Sequence, residues 1–182
     1  MKKLDLSLTI RLIEKQDLPM LWAISYGPAA DLSWMAYDGP YFNNPVLSWD
    51  AFVTGWGGES VENPHRGLIE YQNQPIGMVT AYWEDGPLNN WLQFGIVIYS
   101  SSLWGKGIAT TVIPQWITYL FNLHPQVQRV GYRTWSGNHG MMKVGEACGL
   151  TLEARIRKVR FTQDRYFDSL EYGVLRDEWL NQ

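Results

Sequence analysis

Residues Leu92 to Phe121, LQFGIVIYSSSLWGKGIATTVIPQWITYLF, read in order as a buried strand, a glycine-bearing loop and a helix. Phe94 to Tyr99 is a short apolar run rich in β-branched residues and bounded by serines, which is the signature of a strand. From Ile108 to Phe121 the apolar residues Ile108, Val112, Trp116, Ile117 and Leu120 recur on one helical face. Between them lies Leu103-Trp104-Gly105-Lys106-Gly107-Ile108-Ala109. Glycines in such a loop allow successive backbone N–H groups to turn toward one point, at the positive end of a helix. This arrangement suits a pyrophosphate. It also suits a tight turn kept small for packing.

Two familiar phosphate loops do not fit. A Walker loop requires Gly-Lys-Ser/Thr at its end, whereas Gly107 is followed by Ile108 and Ala109. A dinucleotide fingerprint requires three spaced glycines and a later acidic residue for the ribose. Thr110 stands at the third glycine position, and no Asp or Glu occurs from Gly86 to Gly145.

The stretch Trp104 to Ala109 resembles the coenzyme A pyrophosphate loop of the GNAT superfamily of acetyl-CoA-dependent N-acetyltransferases, which runs Gln/Arg-x-x-Gly-x-Gly/Ala. Gly107 and Ala109 match its last two fixed positions. Trp104 replaces the usual Gln/Arg, as in the RimJ/RimL-like branch that includes ribosomal-protein N-terminal acetyltransferases. A second block, Trp135-Ser136-Gly137-Asn138 followed by Met141 to Leu150, is similar to the family's Asn-led helix. A third, Tyr166 to Trp179, resembles that branch's last strand and tail.

The resemblance implies acetyl-CoA as cosubstrate. The main chain of Ile96, Val97 and Ile98 would hold the pantetheine arm. The loop Trp104, Gly105, Lys106, Gly107, Ile108, Ala109 and Thr110 would hold the pyrophosphate, and Asn138 would meet the arm. It also implies direct transfer of an acetyl group to a primary amine on a protein N-terminus or a small molecule. A backbone N–H near Val97 or Ile98 would stabilise the oxyanion. An alkyl ammonium must first lose a proton, and Glu84 and Asp85 are the candidate bases, acting directly or through water. Relatives often place Tyr or Ser on the Asn-led helix to serve the leaving thiolate. Here Met141 stands where that branch has Ser, so the alternative is a catalytically silent acyl-CoA-binding protein of the same shape.

At 182 residues the chain fits a single domain, spanning 1–182, with a sizeable core. No apolar run approaches the roughly 20 residues of a membrane helix. The start, MKKLDLSLTIRLIEKQD, lacks the apolar segment and cleavage site of a signal peptide. The lone Cys148 falls at the apolar end of a predicted helix and reads as a buried reduced thiol, which points to the cytoplasm. No Cys/His cluster has metal-ligand spacing, so no metal is expected.

Net charge is −3, but it is unevenly spread. From Gln16 to His65 there is no Lys or Arg, while Asp17, Asp31, Asp38, Asp50, Glu59 and Glu62 are present. From Gly86 to Gly145 only Lys106, Arg129, Arg133 and Lys143 carry charge. The basic segment suits a polyanion such as coenzyme A, and the acidic one suits a cationic amine. Neither forms the dense basic stripe of a nucleic-acid surface. The acidic segment also holds Trp22, Tyr26, Trp34, Tyr37, Tyr41, Phe42, Trp49, Phe52 and Trp56. Aromatic faces beside carboxylates attract organic cations, so Trp34, Tyr37 and Trp83 are expected to line the acceptor site, with at least half of these nine rings in the core.

Punctuation by Gly, Pro and Asn gives the order β-α-α-β-β-β-α-β-α-β-β. The predicted fold is an α/β (α+β) domain. Its mixed, mostly antiparallel twisted sheet has about seven strands and is flanked by about four helices. A homodimer paired through the last strands is the expected assembly, as in many relatives.

Overall fold

The computed structural model describes residues 7–181. The lysine-bearing start at 1–6, part of the stretch from which a signal peptide is excluded above, lies outside them.

Seven strands form one sheet in the order β1-β2-β3-β4-β5-β7-β6. They are β1 (Leu8–Leu12), β2 (Arg66–Tyr71), β3 (Gln74–Trp83), β4 (Leu92–Ile98), β5 (Arg129–Trp135), β6 (Thr151–Thr162) and β7 (Arg165–Leu175). The helices are α1 (Leu18–Ser25), α2 (Trp49–Thr54), α3 (Trp56–Glu59), α4 (Ile108–Leu123), α5 (His139–Ala147) and α6 (Arg176–Leu180). All strand pairs are antiparallel except β4 with β5. The mixed, mostly antiparallel sheet expected from the sequence is thus present. Two short helices, α3 and α6, exceed the expected set.

The sheet separates two cores. On one face α4 and α5 pack against Phe94, Val130, Tyr132, Leu170 and Tyr172, with Val112, Trp116, Ile117 and Leu120 fully or nearly fully buried. On the other face α1, α2 and the loops beside them bury Leu18, Leu21, Trp34 and Phe52 against Leu68, Met78 and Tyr99. Strand alternation divides β4 between the two, with Phe94 facing α4 and Val97 facing the second core.

Pro114 lies inside α4 and has no N–H to give the Thr110 carbonyl. The thiol of Cys148, buried at the end of α5, approaches that carbonyl at 4.0 Å and supplies a weak donor. Burial pushes this thiol's pKa up to about 11, so it is a packed, protonated group.

Candidate active site

β4 and β5 run parallel but pair only at Leu92–Val130 and Gln93–Gly131. Beyond those pairs β4 remains fully paired to β3, and β5 to β7. The sheet therefore splits into a wedge from Phe94 and Tyr132 onward. The rings of these two residues meet at 5.3 Å on the α4 side of its vertex.

The main chain of β4 can be assigned to the two sides by alternation. Tyr99 N–H donates to Ile76 O at 3.0 Å, and Trp91 O accepts from Glu84 N–H at 2.9 Å. Odd-numbered residues of β4 thus turn their N–H and C=O toward β3, and even-numbered ones turn toward the wedge. Past Phe94, whose N–H belongs to the Gln93–Gly131 pair, Ile96 and the N–H of Ile98 present the open edge. Val97 spends its main chain on β3, so the contacts expected of it pass to Ile96 and Ile98.

The helices that follow these two strands both begin at the mouth of the wedge, which is where α/β sheets place ligands. The loop into α4 starts with a turn in which Trp104 N–H donates to Ser101 O at 3.1 Å. That amide is already used, which corrects its expected place in the phosphate cradle. The indole Nε1 of Trp104 donates to Ile98 O.

From Gly105 to Thr110, six successive amides have no acceptor among the described residues. Gly105 and Gly107 take φ of +70° and +81°, and a Cβ at Gly105 would meet nothing within 4 Å. Both glycines are needed for a left-handed backbone, and the space beside them is open. The hydroxyls of Thr110 and Thr111 donate to Gly107 O and leave these amides unpaired. An amide-bearing arm along Ile96 and Ile98, ending in a diphosphate at 105–110, fits this edge.

Asn138 sits at the start of α5. Its Oδ1 accepts from Met141 N–H at 3.1 Å as a helix cap, and its Nδ2 donates to Tyr37 O at 3.4 Å. Its N–H goes to Trp135 O and its carbonyl accepts from Met142. The contact with the arm expected of Asn138 is thus replaced by a capping role.

A ladder of polar groups crosses the split on the face opposite α4. Gln93 donates from Nε2 to Glu171 at 2.7 Å and accepts from Arg129 Nη1 at 2.9 Å. Arg133 reaches past β4 to Glu84, with Nη2 to Oε1 at 2.9 Å, and its Nε bonds Glu171. Burial opposes the charge on Arg133, but the hydrogen bonds to Glu171 and Glu84 outweigh it and raise its pKa. Two of the four cations in the basic segment are therefore clamped inside the sheet. Lys106 and Lys143 form no ion pair among the described residues.

Glu84 faces the vertex of the wedge through this ladder. Asp85 does not, because its Oδ2 accepts from the amides of Asn90 and Trp91 and holds the β3–β4 turn.

The expected acceptor residues do not converge. Trp83 opposes Leu92 and lies on the α4 face, where its ring packs 4.9 Å from that of His124. Trp34 is 7% exposed, donates to Ser25 O and packs edge-on against Tyr99 at 5.3 Å. Tyr37 is 43% exposed and sits at the wedge itself. Its carbonyl accepts from Trp135 Nε1 at 3.0 Å, and its ring packs edge-on against Trp104 at 5.4 Å. Sequence reasoning missed Gln93 and Glu171. Both are polar residues inside otherwise apolar strand runs, and that is the signal that could have found them.

An open sheet split by a parallel pair, with two helix N-termini at the opening, is an architecture that can receive a phosphate-bearing ligand. The profile of the acetyltransferase (GNAT) domain family matches residues 7–151, and the chain belongs to that family. It is similar to the SPbeta prophage-derived uncharacterized N-acetyltransferase YokL of Bacillus subtilis (strain 168), at 26% identity over 111 residues. That match spans 61% of each chain, so the chain covers under two thirds of this relative. Among solved structures, the spermidine N-acetyltransferase from Vibrio cholerae in complex with CoA and spermine superposes with a TM-score of 0.76. It shares 24% identity and covers 96% of this chain and 98% of its own. An aminoglycoside acetyltransferase, AAC(6')-Ib in complex with coenzyme A, gives a TM-score of 0.73 at 16% identity, covering 97% and 99%.

Proposed function

We propose that this protein is an N-acetyltransferase that moves an acetyl group from acetyl-CoA to a primary amine by direct attack. The observation that carries this reading is the wedge between β4 and β5, whose unpaired groups at Ile96 and at the Ile98 N–H lead to six unpaired amides. When bound, acetyl-CoA supplies an acetyl group activated as a thioester. Ile96 and Ile98 orient the arm through their main chain, and one of their N–H groups faces the carbonyl oxygen that gains charge. The amides of Gly105 to Thr110 and the charge of Lys106 hold the diphosphate. Glu84, at the vertex, takes the proton of the attacking amine through water, and the thioester C–S bond breaks to release CoA as a thiolate that solvent protonates.

A small amine such as a polyamine or an aminoglycoside-like compound is the favoured acceptor, supported by the likeness to acetyltransferases of both kinds. A protein N-terminus is a further candidate, since the Trp104-led loop supports kinship with the RimJ/RimL-like branch. The exposed Ile156, Val159, Phe161 and Tyr166 of the β6–β7 hairpin support pairing with a second subunit. The single buried thiol supports a cytoplasmic setting. Among the described residues no helix is long and apolar enough to cross a membrane.

The test is release of CoA from acetyl-CoA in the presence of an amine panel. Turnover with any primary amine is the expected result. Acetyl-CoA binding without turnover would instead assign the chain as a silent acyl-CoA binder.

A further inference from the structure

We propose that Asp38 and the cavity it lines hold a second, non-reacting cationic group of the amine acceptor, an inference that rests on the acetyltransferase reading above. A cavity of about 230 Å³ lies beneath the segment from Trp34 to Asn44. Its walls are Tyr26, Trp34, Met35 and Pro40, and Asp38 opens onto it. This volume is below that of a site enclosing a whole drug-sized ligand and suits one end of a chain.

The Asp38 carboxylate accepts no hydrogen bond and pairs with no cation among the described residues. Asp38 is a solvent-exposed residue lining the cavity, and partial desolvation by the neighbouring protein raises its pKa. Its charge is also felt by the hydroxyls of Tyr26 and Tyr41. A carboxylate in such a place is stabilised by a cation brought to it.

Among the described residues the chain does not supply that cation. No Lys or Arg occurs from Gln16 to His65. Arg133 is committed to Glu84 and Glu171. The guanidinium of Arg160 is stacked 4.6 Å over Tyr41 and forms no ion pair with Asp38. Aromatic walls beside an unpaired carboxylate favour an organic cation over a hydrated metal ion.

The reacting nitrogen is not the group held there. A carboxylate stabilises the ammonium form, whereas the attacking amine must be neutral. The carbonyl of Tyr37, the residue before Asp38, accepts from Trp135 Nε1 at the end of β5, which places Asp38 beside the mouth of the wedge. A dication can therefore place one charge at Asp38 and direct its other nitrogen into the wedge.

The experiment titrates hexamethonium, a bis-quaternary dication that cannot be acetylated, into the wild-type protein and the Asp38→Asn variant at low ionic strength. A rise in Kd of tenfold or more in the variant is expected, with the Kd for acetyl-CoA unchanged. In turnover, KM for 1,5-diaminopentane should rise about as much, while KM for pentylamine stays the same. No binding of hexamethonium to the wild type, or equal binding by both proteins, overturns the proposal. Asp38-dependent binding with no turnover on any amine keeps the cation site and removes the transferase reading.

Discussion

The indole Nε1 of Trp104 donates to the carbonyl oxygen of Ile98 at 2.8 Å, tying the glycine loop to the end of the strand it follows. This bond joins the two parts of the wedge that face the cofactor, the strand edge and the amide cradle. Phenylalanine keeps the ring that packs on Tyr37 but removes the donor. Trp104→Phe should lose about 0.5–1.5 kcal/mol of loop ordering, raising the Kd for acetyl-CoA roughly 2–10-fold. The melting temperature should barely move. An unchanged Kd would mean that the bond does not organise the loop.

Glu84 and Asp85 are adjacent in sequence but differ in their surroundings. Glu84 faces the vertex beside Arg133, whereas Asp85 ties down the amides of Asn90 and Trp91. Glu84→Gln should lower kcat about 100-fold, the scale of a lost general base, with the Kd for acetyl-CoA unaffected. Asp85→Asn should leave kcat within a few-fold and act on stability. The reverse pattern would move the proton acceptor to Asp85.

His65 and His124 meet Nε2 to Nε2 at 2.7 Å, so one ring must donate and the other accept. Both pKa values are lowered, by desolvation in each case, and for His65 by the neighbouring His124 as well. The folded state therefore binds fewer protons than the unfolded chain below the ordinary histidine value of about 6.5. Their contribution is complete above that pH and is lost as pH falls through the lowered folded values. The urea midpoint should drop between pH 7.5 and 5.5, and His124→Gln should flatten that slope. A midpoint insensitive to pH over this range would rule out the linkage.

Trp34 and Tyr37 separate packing from binding. Trp34 is buried and hydrogen-bonded, so Trp34→Ala should cost about 3–5 kcal/mol of stability, read from denaturant unfolding. Tyr37 is largely exposed, and its tie to Trp135 and Asn138 runs through its backbone carbonyl. Tyr37→Ala should therefore unfold at nearly the wild-type midpoint while raising acceptor KM. A loss of several kcal/mol at Tyr37 would assign it to the core.

Most of the sheet could be read from the chain because apolar periodicity reports which face a side chain takes. The helix read over Ile108 to Phe121 is α4, which runs two residues further to Leu123. Periodicity does not report which strand lies alongside which, so the split between β4 and β5 was invisible. The position of Trp83 was missed for the same reason.

Gly55, Gly57 and Gly58 carry low helix propensity, yet α3 forms there. Trp56 O accepts from Ser60 Oγ and from Arg66 Nη1 at 2.6 Å, a tertiary tie that overrides the weak local propensity. Likewise α6 is anchored by Arg176, whose guanidinium bonds the carbonyls of Phe121, His124 and Val127. The nine aromatic residues of the acidic segment divide as expected. Trp22, Tyr26, Trp34, Phe52 and Trp56 pack in the second core, Tyr41 is half-buried against Trp135, and Tyr37, Phe42 and Trp49 are exposed.

The most direct test of the central claim is calorimetric titration of acetyl-CoA into the wild-type protein and Gly107→Trp. Gly107 has φ of +81°, beside the unpaired amides, so a bulky L-residue both strains the backbone and fills the cradle. Micromolar binding by the wild type and its loss in a folded variant is the predicted result. No binding by the wild type, or equal affinity in the two proteins, would contradict the account and leave the loop as a turn.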